Sequence, residues 1–203
     1  QLAQPDTVAV VTGQQAGLFG GPLFTLLKAV TAVKLARRVA ADHTTRVVPV
    51  FWVDAEDHDL DEIRTCGVLD SDLALRRVSL EIPDGAGRPA AAIRLDRSIA
   101  GALGELRSAL PETDHSTELL TGLAAAYAPG TRLVEAFAGW LESWLGRHGL
   151  VVFDASDAAA KPLVQPIFDR ELRMRGETAR LAARAGEDLA ERGYHAQVTP
   201  TID

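Results

Sequence analysis

Short, uninterrupted apolar runs alternate along this chain with longer stretches whose apolar residues fall three and four apart. Val8 to Val11 is a β-branched run closed by Thr12-Gly13, the pattern of a strand buried on both faces. Beyond a glycine-rich loop, Pro22 suits the first turn of a helix, and Leu23, Leu26, Leu27, Val30, Val33 and Ala36 mark its apolar face. Val47 to Val53 is a second buried-strand run, weakened slightly at Pro49, which lacks a ladder donor. A strand, a helix and a strand in this order predict an α/β fold with a parallel sheet, because crossovers of one hand join parallel neighbours.

Leu75, Val78, Leu80 and Ile82 alternate, and Ile93 and Leu95 follow the turn-forming Asp84-Gly85-Ala86-Gly87, which predicts a hairpin-like insertion between core elements. From Ser98 to His148 the pattern is helical. Leu133, Phe137, Trp140, Leu141, Trp144 and Leu145 share one face there before Gly149 closes it, which casts both tryptophans as core anchors. Leu150 to Phe153 returns to a buried strand, a charged helical region follows from about Pro162 to Arg192, and Tyr194 to Val198 is strand-like. The chain thus divides into a first part of the core (1–70), a hairpin-like insertion (71–97), helices with a returning strand (98–160) and a helical segment (161–203).

Composition narrows the function classes. With 47% hydrophobic and 24% charged residues the chain can bury a core, and no apolar run reaches the roughly 20 residues that span a bilayer. No membrane association and no secretory leader are expected. The lone Cys66 can form neither an internal disulfide nor a zinc-thiolate cage, so a reducing cytoplasm is expected and structural zinc is not. Cys66 itself reads as a small core residue. A net charge of −7 and the lack of a basic, aromatic-studded stripe exclude nucleic acid as the expected partner. Gln1 stands where an initiator methionine is expected, and the chain stops just after strand-like residues at Thr201-Ile202-Asp203, so a longer parent protein is expected.

Three polar loops follow the predicted strands, where open α/β sheets bind ligands. In the first, Thr12, Gly13, Gln14, Gln15, Gly17, Gly20 and Gly21 lead into a helix start, and such a loop serves either as a backbone cradle for phosphate or carboxylate or as a tight turn. It lacks the Lys-Ser/Thr ending of a P-loop and the spacing of a dinucleotide fingerprint. In the second, Glu56, Asp57, His58 and Asp59 crowd carboxylates around an imidazole. Such crowding is costly unless Mg²⁺ (on Asp57 and Asp59), a protonated histidine or an ammonium substrate compensates it; the alternative is a solvated acidic helix start. His58 could act as general base, phosphate donor or cap. The third loop carries Asp154, Ser156 and Asp157, equally readable as a helix cap. Lys28 reads as a solvated helix lysine that could reach back to the first loop, and His195 either projects from a strand towards a site or is structural.

Several ordered motifs resemble one family. Thr12-Gly-Gln-Gln-Ala-Gly-Leu-Phe-Gly-Gly-Pro22, Val47-Val-Pro-Val-Phe-Trp52, Glu56-Asp-His-Asp59, Tyr127-Ala-Pro-Gly130, Gly149-Leu-Val-Val-Phe-Asp154-Ala-Ser-Asp157 and Gly193-Tyr-His-Ala-Gln-Val198 are together similar to the cysteine-adding enzymes of bacillithiol biosynthesis. The resemblance implies a Rossmann-like core related to nucleotidylyltransferases and class I synthetases, and a homodimer built on a coiled-coil arm of which 161–203 would be a connecting segment or the start. It also implies a ligase that joins cysteine to the amino group of glucosaminyl-malate, with ATP activating the carboxylate as an adenylate or an acyl phosphate. By the same resemblance, Gly13, Gln14, Gln15, Gly20 and Gly21 would cradle phosphate or carboxylate. His58 would stabilise phosphate charge, Glu56, Asp57 and Asp59 would hold Mg²⁺ or the cysteine ammonium, and Asp154 with Ser156 would meet hydroxyls. The loop has no histidine where class I synthetases carry theirs. A metal-dependent hydrolase using the Asp/His cluster and a non-catalytic nucleotide-binding or assembly module are the rival classes.

Overall fold

The computed structural model describes residues 2–83 and 87–198; Asp84, Gly85 and Ala86 of the expected turn and the terminal Thr201-Ile202-Asp203 lie outside the described residues. The chain forms two compact units, Gln1–Ser156 and Asp157–Asp203.

In the first unit, β1 (Thr7–Gln15), β2 (Arg46–Asp54) and β5 (Val151–Asp154) make a three-stranded parallel sheet in the order β1-β2-β5. The α/β class with parallel strands is therefore as expected. Between β1 and β2 runs α1 (Leu23–His43), the crossover that parallel pairing requires. Pro49 is accommodated in the central strand because pairing with β5 begins only at Val50, which leaves β2 paired on one side at that position.

α1 packs on β1 and β2, and α5 (Leu133–Leu145) packs on β5 and against α1. Phe51 and Phe137 meet in this layer with ring centroids 5.9 Å apart. The buried side of α1 is made by small residues, Thr25, Ala29, Ala32, Val33 and Ala36, whereas Leu23 and Leu27 of the expected stripe are exposed. Short side chains let the helix lie close to the sheet. The expectation that β1 is buried on both faces also fails. Among the described residues β1 is an edge strand, and Val11 is 58% exposed; Trp52 on β2 is 46% and Val151 on β5 is 42% exposed.

The hairpin lies earlier than expected. β3 (Thr65–Leu69) pairs antiparallel with β4 (Leu75–Ser79), and the turn is built by Asp70, whose Oδ1 accepts from the backbone N–H groups of Asp72 and Ala74, both at 2.9 Å. Ile93 and Leu95 are buried outside any hairpin: Leu95 N donates to Thr131 O and Leu133 N to Ile93 O, each at 2.9 Å, beside an isolated bridge between Arg94 and Arg132. α3 (Ser98–Ala109) and α4 (Ser116–Ala126) follow, and α4 packs on α5. Leu133, Val134, Ala136, Phe137, Trp140, Leu141 and Leu145 of α5 are all buried, and Trp144 is partly so. Trp140 is thus a core anchor as read from the sequence.

The second unit holds α6 (Lys161–Arg173) and α7 (Glu177–Glu191), so the single helical region expected over Pro162 to Arg192 is two helices parted by Arg175 and Gly176, both at positive φ. Tyr194 to Val198 forms no strand, since no described segment pairs with it. No helix among the described residues is long and apolar enough to cross a membrane.

Candidate active site at the carboxyl ends of the parallel strands

Strand register sets the layout. Gln14, Val53 and Asp154 stand level across β1, β2 and β5, and Gln15 stands beside Asp54, so the first, second and third polar loops leave one edge of the sheet. A cleft of about 620 Å³ opens there, lined by Val11, Thr12, Gly13, Gln14, Gln15, Trp52 and Asp54. Another hollow, of about 470 Å³, is lined by residues such as Arg107, Glu112 and Ser116 of α3, α4 and their connection, away from any strand end. Ligand sites of open parallel sheets form at strand carboxyl ends, so the first cleft is the candidate.

The glycine loop is shaped by packing. Ala16, Gly17, Leu18, Phe19 and Gly20 are buried. Tyr127, with no exposed surface, donates from its hydroxyl to Gly17 O and accepts from Gly20 N–H, both at 2.9 Å, and its ring meets Phe19 edge-on at 5.3 Å. Burial pushes the Tyr127 phenol far up, so it stays a neutral donor and acceptor. Gly20 at φ 92° lies against the Trp140 ring, and Gly21 at φ 69° turns the chain into α1. The Gly20 N–H is therefore committed inside the protein, and the polar edge offered by the first loop is the end of β1 itself: Thr12, Gly13, Gln14 and Gln15.

Gln15 joins the first loop to the second, because its Nε2 donates to Asp57 Oδ2. Asp57 Oδ1 accepts from the backbone N–H of His58 at 2.7 Å and of Asp59 at 3.2 Å, so this carboxylate organises its own turn. The Gln15 hydrogen bond is the main cause that holds the Asp57 carboxyl below its ordinary range; burial opposes it, and the two backbone donors and the His58 imidazole add to the lowering. Asp59 Oδ1 caps α2 (Leu60–Ile63) by accepting from Glu62 N–H at 3.3 Å, and Asp61 and Glu62 lie in that helix's first turn as expected from the helix dipole. Backing the loop, Ala90 N donates to Asp57 O and Ala91 N to Ala55 O, each at 2.9 Å. Glu56 and His58 are exposed beside this turn.

At the third loop, Asp154 Oδ1 accepts from Ser156 N–H at 2.8 Å and from Ser156 Oγ at 2.6 Å, and Arg132 Nη2 lies 3.6 Å from Asp154 Oδ2. Arg132 is tied in turn to Glu135, whose carboxyl it draws below the usual range. Asp157 and His195 belong to the second unit; Asp157 Oδ1 accepts from Ala159 N–H at 2.9 Å, and His195 is exposed.

Lys28 is not the solvated helix lysine; it takes the other course open to it and reaches back to the first loop. Its ammonium donates to Gln14 Oε1 at 2.8 Å and to Gly13 O at 3.3 Å, and lies 5.0 Å from the centre of the Phe24 ring. The signal was its place about one and a half turns into α1, since helical side chains lean towards the N-terminus and hence towards the loop. Among the described residues no group of three or more His, Cys, Asp or Glu side chains could hold a metal ion.

A parallel α/β sheet with a polar cleft at its carboxyl edge defines the class: a Rossmann-like domain. The sequence narrows this further, because a family model described as "Bacillithiol biosynthesis BshC, N-terminal Rossmann-like domain" matches residues 1–202. The chain belongs to that family. Proteins named "Putative cysteine ligase BshC" are similar to it: one from Salinibacter ruber is 41% identical over 201 residues, covering 97% of this chain and 36% of the relative. One from Koribacter versatilis is 35% identical over 190 residues, covering 94% and 35%. Another from Chlorobaculum tepidum is 35% identical over 205 residues, covering 98% and 36%. The chain thus spans about a third of the length of these relatives.

Proposed function

We propose that this domain binds the acid to be activated and its nucleotide in a ligase that joins L-cysteine to the amino group of glucosaminyl-malate. A carboxylate and an amine do not condense in water, so ATP first converts the acid to an adenylate or an acyl phosphate, which the amine then attacks. The observation that carries the proposal is the Gln15–Asp57 hydrogen bond, which joins the glutamine pair that lines the cleft to the acid-histidine turn of the second loop.

In this reading Thr12, Gly13, Gln14 and Gln15 meet the anionic oxygens, while Gly17, Gly20 and Gly21 shape the loop behind them. His58 stabilises charge that develops on phosphate, and Glu56 receives the cysteine ammonium. Asp154 and Ser156 meet ribose or sugar hydroxyls. Both Asp57 oxygens are already engaged and Asp59 caps a helix, so these side chains do not fit a protein-built magnesium cage. The same reading carries a cytoplasmic location and a homodimer formed through a coiled-coil arm.

Single-turnover cysteine addition by the full-length protein, with ATP and glucosaminyl-malate, tests the proposal. AMP as product identifies the adenylate and ADP the acyl phosphate. His58→Ala and Glu56→Ala are each expected to abolish addition with an unchanged far-ultraviolet circular dichroism spectrum, and full activity in both would overturn the assignment.

A further inference from the structure

A series of side-chain contacts runs from a cation on α1 to a carboxylate in the loop after β2. Lys28 Nζ donates to Gln14 Oε1 at 2.8 Å; Gln14 Nε2 faces Gln15 Oε1 across a long 3.5 Å; Gln15 Nε2 donates to Asp57 Oδ2. The two ends decide how the carboxamides are turned. An ammonium offers donors only, so the Gln14 atom that faces it is oxygen. An ionised carboxylate offers acceptors only, so the Gln15 atom that faces it is nitrogen. The two atoms left facing each other are then an N–H and an oxygen, a matched pair. Turning either amide over would set oxygen against carboxylate or N–H against ammonium.

We propose that Lys28 is a positioning residue of the cleft, which acts through Gln14 and Gln15 against Asp57 to fix both carboxamides with their N–H groups available to an anionic oxygen. The inference deepens the ligase reading and rests on it. Each carboxamide nitrogen has two hydrogens, one of which is committed within the series. One N–H on each glutamine is left, while each amide oxygen already faces a donor, so the wall they form suits a carboxylate or phosphate oxygen. Gln14 and Gln15 line the cleft and Lys28 does not, so the lysine acts on the ligand through the amides.

The test uses the full-length protein and four variants: Lys28→Met, Lys28→Arg, Asp57→Asn and the double Lys28→Met/Asp57→Asn. KM for cysteine and for ATP is read separately from kcat, with thermal unfolding alongside. Lys28→Met is expected to raise KM for the substrate whose anion meets the wall by about tenfold, with a smaller change in kcat and an unchanged melting temperature. Lys28→Arg, which keeps the donor, should recover most of that loss. Because both ends act on the same amides, the double variant should lose little more than the worse single one, a coupling of about fivefold or more. Wild-type KM in Lys28→Met, or losses that multiply in the double variant, would overturn the proposal. Gln15→Ala separates the two levels: if it acts like wild type the cleft is not the site and the ligase reading falls, whereas an impaired Gln15→Ala beside an unaffected Lys28→Met removes the lysine's role alone.

Discussion

Replacing Gly20 by alanine is the sharpest test of what the glycine loop is built for. A β-carbon there would lie 2.4 Å from Trp140 Cζ3 and 2.7 Å from Cη2, and the residue stands at φ 92°. At the adjacent Gly21, φ is 69° but the nearest obstacle is Thr25 Oγ1 at 3.5 Å, an ordinary contact. The positive φ costs an L-residue at Gly20 about 1–2 kcal/mol, and at Gly21, where ψ is −157° and the backbone lies in a region essentially reserved for glycine, about 1–3 kcal/mol. Only Gly20→Ala must also displace a ring that is 7% exposed in the core, an overpacking cost of about 1–3 kcal/mol. The sum for Gly20→Ala is roughly 2–5 kcal/mol, a large share of the roughly 5–15 kcal/mol that holds a domain together. Urea unfolding of the full-length protein should therefore show Gly20→Ala below Gly21→Ala in midpoint, at equal slope. Trp140→Leu makes room for the methyl, so its cost and that of Gly20→Ala should sum to more than the double variant loses. Losses that simply add in the Gly20→Ala/Trp140→Leu double variant would show that Trp140 is not the obstacle and that the loop is not shaped by packing.

Tyr127→Phe removes one partner from Gly17 O and one from Gly20 N–H in a buried setting, so a loss of about 1–3 kcal/mol and faster amide exchange at Gly20 are expected; unchanged exchange would refute the clamp. Asp57 is held below its unfolded value of 3.8 chiefly by the Gln15 hydrogen bond, so its carboxylate contributes stability above about pH 3.8 that is lost as pH falls through the lower folded value. Denaturant titrations from about pH 3 to 7 should show Asp57→Asn weaker than wild type at neutral pH and converging with it in acid, and a gap independent of pH would count against that assignment. Burial pushes the Cys66 thiol up and leaves it 6% exposed, so alkylation followed by mass spectrometry should be far slower in the native protein than in urea; equal rates would contradict its place in the core.

Apolar periodicity revealed the elements better than their surroundings. The runs at Val8, Val47 and Leu150 are strands of one parallel sheet, since β-branched runs joined by a helical crossover have few other solutions. What the runs cannot show is which strand stands at an edge, and β1 with its exposed Val11 does. The hairpin lies earlier in the chain than the alternation suggests, for a different reason. Leu80, Ile93 and Leu95 alternate because they are buried, but their backbone partners are Arg64 O, Ala90 O and Thr131 O rather than each other. Asp70-Ser71-Asp72 did carry the true turn signal, a side-chain acceptor positioned for the amides two and four residues on.

The site divides along the same line. Residue types pointed to the loops after β1 and β2 because a carboxylate cluster and a glycine-rich turn are both unusual in composition, and strand polarity then placed them at one edge. Contacts between long side chains are not written in spacing: Gln15 and Asp57 lie 42 positions apart, and Lys28 reaches Gln14 only because α1 folds back along β1. The glycines changed meaning once packing was known. Gly20 gives its N–H to Tyr127 and its open face to Trp140, which removes the loop's centre from solvent and leaves polar recognition to the strand end before it. A buried clamp next to a polar strand terminus costs the loop its freedom and gives Gln14 and Gln15 a fixed base. Two flexible glutamine side chains can discriminate an acceptor oxygen only if their own amides are held in one orientation, and a rigid backbone with a charge at each end of the pair supplies that condition.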